Sequence, residues 1–285
     1  MAVSGLRHLR TGFWLGWQMD ANWASPGWFF AYSIVRPLAM SSMLVVMYLV
    51  VTAGRTHTET FSAMYLGNAF YMYVGALGMG VSMAVIEERE WFQMLKYIYL
   101  GTSDLFWYIL GRAGAKFVAT TIAAAVVLVA GVLFLHVPLH AGTVRWGALL
   151  LALLAGVVMS LGMGLALAGV MLLAARHGGA WAEGLAGALY LFTGTVFPLD
   201  VLPRWAQSFG LALPFTYWLE ALRRAAYGSD FSVRFSPLLA AVPDAELWAV
   251  LLGSAAALIL AGVAVFRFCE RIARERGLID QVTEH

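Results

Sequence analysis

Long runs of apolar residues recur along this chain, separated by short stretches that hold most of its charges. A helix needs about 20 mostly apolar residues to cross a hydrocarbon core about 30 Å thick. Runs of that kind recur six times, so the pattern predicts an all-α integral membrane protein with six transmembrane helices. The predicted spans are residues 28–53, 62–85, 104–135, 146–175, 180–199 and 247–266.

The stretch before the last predicted span, residues 198–243, does not fit the pattern of a seventh span. It contains five prolines and seven charged residues, yet its segment 205–219 is apolar and aromatic around Pro214. This composition predicts a re-entrant helical hairpin that enters the bilayer partway from the outer side. Irregular backbone at membrane depth must be covered by protein or water, so we expect this hairpin to pack against the other helices.

The N-terminal residues have an amphipathic pattern. Leu6, Leu9, Phe13 and Trp17 recur at helical spacings, with polar and basic residues between them. Such a helix is typical of segments that lie in the membrane interface. The predicted organisation is an interfacial helix and linker, a six-span domain and a short cytoplasmic tail: residues 1–27, 28–268 and 269–285.

Composition narrows the class of protein. The chain is 61% hydrophobic and only 12% charged, whereas a soluble domain carries about 25% charged residues. A soluble globule of 285 residues has too little interior to hide that much apolar surface. A soluble enzyme, a disordered regulator and a nucleic-acid-binding module are therefore excluded. The net charge of +2 is too small to indicate a partner.

Basic residues near the ends of the predicted spans indicate the orientation, since cytoplasmic loops carry an excess of Lys and Arg. With the N-terminus inside, most of them fall on the inner side, and four of the outer ones lie in the long hairpin segment. We therefore expect a multi-pass protein of the plasma (inner) membrane with both termini in the cytoplasm.

An acidic cluster follows the second predicted span. Glu87, Glu88, Arg89 and Glu90 are followed by Trp91 and other aromatic residues, with Lys96 among them. Charged and aromatic residues that alternate on a short inner loop are typical of a helix that docks against a protein partner. A solvated interfacial turn, anchored by Trp and Tyr, explains the same composition, and both interpretations stay open.

Ionisable residues inside predicted spans are candidates for function. Glu183 lies in the fifth span and Arg36 near the start of the first, and each is also explained as a paired or snorkelling group. Four aromatic residues deep in the second span are explained either by packing or by a path for a sugar or an amphipathic ligand. They are Tyr65, Phe70, Tyr71 and Tyr73.

Signatures of catalysis and of cofactor binding are absent from the sequence. There is no phosphate-binding loop, nucleophile elbow or HExxH motif, and Cys269 is the single cysteine. His136 and His140 have Pro138 between them, which argues against a metal pair on one helix face. We therefore expect no metal site and no catalytic residue, and any ATP must be bound by another chain.

Two segments together carry a resemblance to a known family. Residues 87–112 combine the acidic cluster with Gly111-Arg112 early in the third span. Residues 194–228 hold an aromatic and proline-rich pattern before the last span. In their order and spacing these segments resemble the permease subunit of type-2 ABC exporters, the ABC-2 type transporters that export drugs, lipo-oligosaccharides and polysaccharides.

The resemblance implies partners and roles. Two permease subunits, identical or homologous, would assemble in the bilayer with two ATPase subunits, which bind ATP and Mg. ATPase coupling would pass through the 87–97 loop, with Glu87, Glu88, Arg89, Glu90, Trp91 and Lys96. The hairpin would close the outer end, with Phe197, Pro198, Leu202, Pro203, Trp205, Pro214, Tyr217, Glu220 and Arg223.

Two other classes of protein were weighed against this family. An ATP-independent secondary transporter or channel usually has mid-membrane charges and paired broken helices, and here the broken element occurs once. An intramembrane enzyme needs clustered acids or histidines at one depth. The sequence does not decide whether the substrate is a glycan, a lipid or a drug-like molecule.

Overall fold

A computed structural model describes residues 2–21, 26–53, 59–100, 104–140, 142–173 and 178–278. Within these ranges the secondary structure is helical, without strands, as the apolar pattern predicted. Part of the linker after the first helix, the end of the tail, and Arg176 and His177 near Glu183 lie outside the described residues.

Thirteen α-helices, two π-helical segments and one 3-10 turn follow one another along the described chain. They are α1 (Ala2–Ala21), α2 (Pro26–Val51), α3 (Glu59–Tyr73), the first π segment (Val74–Met79), α4 (Gly80–Ile86), the second π segment (Glu87–Trp91), α5 (Leu95–Leu100), α6 (Leu105–Phe134), α7 (Trp146–Leu173), α8 (Gly178–Phe192), a 3-10 turn (Leu199–Val201), α9 (Arg204–Ala212), α10 (Pro214–Tyr227), α11 (Ser229–Phe235), α12 (Pro237–Ala240) and α13 (Asp244–Glu275).

Five helical stretches in the described ranges are long and apolar enough to cross a membrane. They are Ala31–Val51, Glu59–Trp91, Leu105–Phe134, Trp146–Leu173 and Asp244–Glu275. The fifth predicted span, residues 180–199, is not confirmed. Its helix α8 has 15 residues, about 22 Å of length. The chain leaves α8 near Gly194, whose φ of +75° is one that residues with a side chain rarely adopt.

The second span is longer than the sequence pattern predicted. Helical structure runs from Glu59 to Trp91, 33 residues, so the acidic cluster is the last part of this helix and not a loop after it. The first π segment interrupts the helix where α7 approaches most closely. A Cβ added to Gly164 of α7 would lie 2.1 Å from the carbonyl oxygen of Leu77.

Helix α7 is the centre of the bundle and contacts α4, α10 and α13. Glycines of α7 face other helices of the same subunit, with Gly162 against α13 and Gly164 against the first π segment. A Cβ on Gly262 of α13 would lie 2.1 Å from the carbonyl oxygen of Gly162. Glycine at this crossing lets the two backbones touch, as is common where helices pack in lipid.

Helix α1 packs along α6 through glycines, a face that the amphipathic pattern did not single out. A Cβ on Gly12 would lie 2.2 Å from the Tyr108 carbonyl oxygen, and one on Gly111 would lie 2.2 Å from that of Leu9. On the other side of α1 the Trp14 side chain is exposed. The glycines hold α1 directly against the first turns of α6.

Candidate functional sites at the two ends of the bundle

The acidic cluster forms a buried ion-pair network with the start of α6. Glu88 has no exposed surface, and its Oε1 accepts hydrogen bonds from the hydroxyl of Tyr108, at 2.6 Å, and from Nη1 of Arg112. Nη2 of Arg112 donates to Oε2 of Glu87 at 2.6 Å. A charge inside a bundle is tolerated when it is paired and hydrogen-bonded. We call Glu87, Glu88, Tyr108 and Arg112 the Glu88 network.

The network joins three separate parts of the chain. Nη1 of Arg112 also lies 3.0 Å from the sulfur of Met19 on α1. Beside it, Nη1 of Arg89 donates to the carbonyl oxygen of Met171 at 3.0 Å, and Nε of Arg89 donates to Glu90 at 2.7 Å. Since α7 ends at Leu173, Arg89 places its positive charge at the negative end of the α7 dipole. The end of α7, the start of α6 and α1 are therefore held to the end of the second span.

Next to this network lies an exposed apolar and aromatic surface, which we call the α5 patch. The chain turns into it at Gln93, whose φ of +51° is in the left-handed region. The patch consists of Trp91, Phe92, Met94, Lys96, Tyr97 and Leu100. Trp91 is 65% exposed and Tyr97 60% exposed. An exposed patch with large aromatic residues is typical of an interaction site.

Helix α5 is anchored from behind by the end of α13. The hydroxyl of Tyr99 donates to Oε1 of Glu270 at 3.3 Å, and the guanidinium of Arg274 lies 4.7 Å from the centre of the Tyr99 ring. Burial raises the pKa of the Tyr99 hydroxyl, and the negative charge of Glu270 raises it further. The α5 patch is thus presented on a supported helix.

The predicted coupling residues therefore divide into two groups. Glu88, Arg89 and Glu90 are buried, and the side chain of Glu87 is 20% exposed. Trp91 and Lys96 are exposed in the α5 patch. The buried group is placed to position the patch, and only the exposed group lies where a partner can touch it. Tyr108 was missed by sequence reasoning, although it stands one helical turn before Arg112.

A second cluster surrounds Arg223 of α10. This side chain is 1% exposed. Its Nη2 donates to the carbonyl oxygen of Gly194 at 2.6 Å, and its Nε to that of Ala63 at 3.3 Å. The guanidinium also lies 4.3 Å from the centre of the Phe235 ring. Burial lowers the pKa of Arg223 to about 10, so the group stays charged at neutral pH. Arg223 joins the hairpin to the start of α3.

The neighbouring Arg224 closes the same end of the bundle. Its Nε donates to Glu220, which is fully buried, at 2.9 Å, and its Nη1 to Asp244 at 2.6 Å. Its Nη2 donates to the carbonyl oxygen of Leu239 at 2.7 Å. These bonds tie α10 to α12 and to the first turn of α13. Glu220 and Arg223 were predicted from the sequence as hairpin residues, and Arg224 was not.

The other predicted hairpin residues line the surface of this region. Phe197, Pro198, Leu202, Pro214 and Tyr217 are half-buried, while Pro203 and Trp205 are exposed. The turn between α9 and α10 is closed by Thr216, whose hydroxyl donates to the carbonyl oxygen of Gly210 at 2.6 Å. The segment is therefore a compact pair of short helices, in which Glu220, Arg223 and Arg224 of α10 are buried and Arg204 of α9 is exposed.

Trp218 fastens this hairpin to α7, and the sequence analysis did not single it out. It is fully buried, and its indole Nε1 donates to the carbonyl oxygen of Ala152 at 2.8 Å. A Cβ on Gly156 would lie 1.9 Å from the indole ring.

The two clusters contact the same helix at different points. Arg89 donates to the carbonyl oxygen of Met171, which is on α7 like Ala152. Ala152 and Met171 are about 28 Å apart along the axis of α7. The two clusters thus lie at opposite ends of the bundle.

The deep aromatic residues of the second span are all buried within the subunit. The hydroxyl of Tyr65 donates to the carbonyl oxygen of Val127 at 2.8 Å, and that of Tyr73 to Thr121 at 3.0 Å. Tyr71 donates to the carbonyl oxygen of Ala186 at 2.7 Å. Phe70 lines an apolar cavity of about 210 Å³. In this arrangement all four residues contact other helices of the same chain.

A comparison with protein families agrees with this architecture. A family model described as ABC-2 type transporter matches residues 11–227, which contain the Glu88 network, Arg223, Arg224 and most of the chain. No curated protein matches the chain. The match and the apolar helices confirm the resemblance found in the two sequence segments: the chain belongs to the ABC-2 type transporter family and is a multi-pass membrane permease.

Proposed function

We propose that this chain is the transmembrane permease subunit of an ATP-driven exporter. Two permease subunits would form the substrate path, and two separate ATPase subunits would bind ATP and Mg and hydrolyse the nucleotide. The chain itself would contribute no catalytic residue. The observation that carries the proposal is the α5 patch, an exposed aromatic surface on a helix joined to the rest of the bundle through buried ion pairs.

The proposed topology has six crossings, with α8 as a short fifth crossing and with both termini in the cytoplasm of a cell bounded by its inner (plasma) membrane. In this topology α1 lies in the inner interface, and α9 and α10 form a re-entrant hairpin at the outer end. Two observations support it. The end of α7 that contacts α10 is opposite to the end that contacts Arg89. In addition, Glu220, Arg223 and Arg224 of α10 are buried against protein, as membrane depth requires.

The Glu88 network supplies a route for coupling. An ATPase that changes shape on the α5 patch would move the second π segment, and Arg112 and Arg89 would carry that movement to α1, α6 and α7. The ATPase would shift the permease from one conformation to the other because its free energy of contact with the two conformations differs. Glu87, Glu88, Arg89 and Glu90 act here as positioning residues, while Trp91 and Lys96 touch the ATPase.

The hairpin would act as the outer gate. Its two short helices are held by Arg223 and Arg224 to four other parts of the subunit, so a shift of α3 or α13 reaches them directly. The proposed substrate is amphipathic, of the glycan, lipid or drug-like kind. The class of substrate is identified by measuring which of these compounds stimulates ATP hydrolysis by the reconstituted complex.

The proposed coupling is tested by removing the aromatic side chains of the α5 patch. The double variant W91A/Y97A and the variant K96E are purified in parallel, with W146A as control. Trp146 is 61% exposed and stands at the opposite end of α7. Trp and Tyr are enriched among the interface residues whose removal costs about 2 kcal/mol or more, so the amount of ATPase that co-purifies should fall by about tenfold or more in the patch variants.

Two results would overturn the proposal. Unchanged co-purification and transport in W91A/Y97A and K96E would remove the α5 patch as the contact. Transport by the purified chain in vesicles without any ATPase would favour the alternative, a secondary transporter or channel. W146A should retain the ATPase, and its loss there would mean that the assay reports unfolding.

A further inference from the structure

Two opposite charges stand on the outside of the apolar helices α2 and α8. Arg36 and Glu183 are both exposed. Within the described parts of the chain neither forms an ion pair, and the guanidinium of Arg36 lies 5.5 Å from the centre of the Tyr32 ring. An ionisable side chain in a membrane helix is costly without a partner, and such residues usually pair with one another or mark a function.

The two charges lie at nearly the same depth. Asn68 of α3 contacts both helices and so marks one depth on each of them. Its Oδ1 accepts a hydrogen bond from the hydroxyl of Tyr190 on α8 at 2.8 Å, and its Nδ2 lies 3.5 Å from the hydroxyl oxygen of Ser41 on α2. Arg36 precedes Ser41 by about 7.5 Å of helix, and Glu183 precedes Tyr190 by about 10.5 Å. Three crossings separate α2 from α8 in the proposed topology, so the two helices run in the same direction. Both charges therefore lie on the same side of that level, within about one helical turn of each other in depth.

The helix faces that carry these charges fit a close contact. On α8, Gly184 and Gly187 are exposed beside Glu183, and a Cβ on either glycine would meet nothing within 4 Å. Packing inside the subunit therefore gives no reason for glycine at these positions. On α2, exposed residues cover a broad face, and those in line with Arg36 at helical spacing are Tyr32, Met40, Met43, Met47 and Val50. Long, flexible side chains can fill the shallow face that glycines leave on a facing helix.

We infer that Arg36 of one copy of this chain pairs with Glu183 of a second copy. The inference rests on the proposed function, because the permease dimer supplies the second copy. A two-fold axis along the membrane normal keeps every residue at its own depth, so Arg36 and Glu183 meet at matching levels. The same symmetry forms the contact twice, once on each side of the axis. The α2 face of each subunit thus packs on the α8 face of the other.

Cross-linking in membranes tests this contact with both charges in place. Met40 lies one turn after Arg36, and Gly187 one turn after Glu183, in open space. One tagged copy carries M40C and a second, differently tagged copy carries G187C, both with C269S. Oxidation or a short bifunctional reagent should join the two copies. The control pairs M40C with L260C, because Leu260 is 70% exposed on α13, and this pair should not join.

Charge variants then test the ion pair itself. R36E or E183R in both copies should lower the yield of the M40C–G187C product by about tenfold, because a like charge in a desolvated contact repels. The exchanged double variant R36E/E183R should restore the yield. A product that is insensitive to both single reversals, or a double variant that stays low, overturns the pair.

Separate readouts distinguish the pair from the proposed function. In one outcome the two tagged copies co-purify with an ATPase and show transport activity, while M40C and G187C form no cross-link. In that case the Arg36–Glu183 pair is wrong and the proposed exporter function is retained. If the copies do not co-purify at all, both the dimer and the pair fail. If M40C joins a different chain in place of a second copy, the homotypic contact is overturned.

Discussion

Arg112 and Glu88 are joined by a hydrogen bond inside the bundle, and neither side chain is more than 2% exposed. Arg112 lies about two turns after the start of α6, and Glu88 belongs to the π-helical end of the second span. Their pairing ties two helices together at the place where the exposed α5 patch begins. Stability and coupling are therefore expected to depend on the same few atoms.

Removing Arg112 alone should be strongly destabilising. The variant R112M leaves the carboxylate of Glu88 buried without its cation, a change that typically costs about 3–5 kcal/mol. The double variant R112M/E88M should recover much of this loss, because the fully buried carboxylate is removed together with its cation, and Glu87, the other partner of Arg112, is partly exposed. Thermal unfolding in detergent measures the stability of the single and the double variant. The control is R234M, because Arg234 and its partner Glu59 both have well exposed side chains, and it should cost about 1 kcal/mol or less.

Helix α1 should detach from α6 when its glycine contact is filled. In G12A the new methyl group would meet the Tyr108 carbonyl oxygen at 2.2 Å, a backbone atom that cannot move aside. We expect a loss of about 1–3 kcal/mol from overpacking, together with faster proteolysis of α1. G253A, where a Cβ meets nothing within 4 Å, should be neutral. Equal protease resistance of the two variants would contradict the close contact.

Trp218 should anchor the hairpin to α7. W218F removes the indole N–H and leaves the Ala152 carbonyl oxygen buried without this donor, which costs about 1–3 kcal/mol. W205F serves as control, because Trp205 is 68% exposed, and it should change stability by less than about 0.5 kcal/mol. Chemical unfolding followed by fluorescence compares the two, and a smaller effect in W218F than in W205F would argue against the anchor.

Tyr71 separates the two interpretations of the deep aromatic residues. Y71F removes the hydrogen bond to the Ala186 carbonyl oxygen but keeps the ring, which lies 4.9 Å from that of Tyr190. If Tyr71 serves packing, stability falls by about 0.5–1.5 kcal/mol and the order of substrate preference stays the same. Export assays with several amphipathic substrates measure that order. A selective loss of one substrate would instead assign Tyr71 to the path.

The sequence predicted those features that follow from local patterns. Apolar runs located the helices from residue 28 to residue 175 and the last span, because twenty apolar residues have few other stable environments. The prolines and charges after residue 198 predicted a re-entrant hairpin in place of another span, and the structure has the short helices α9 to α12 there, which do not by themselves confirm the hairpin. Two motifs, residues 87–112 and 194–228, were sufficient to recognise the family, which the family comparison confirmed.

Other features were decided by contacts between residues distant in the chain. Composition described the acidic cluster as a charged loop, but Arg112, Tyr108 and the end of α7 draw it into the bundle. Similarly, Gly194 ends α8 before the predicted boundary, and glycines on α1 and α6 select a packing face that no hydrophobic pattern reveals.

The physical reason is the range of the interactions involved. Transfer of apolar residues out of water depends on composition over a short window, so the sequence by itself determined the compartment, the helical class and the family. Which charge is buried, and which surface is left for a partner, depends on pairing between segments such as Glu88 and Arg112. Only the tertiary structure brings those segments within hydrogen-bonding distance.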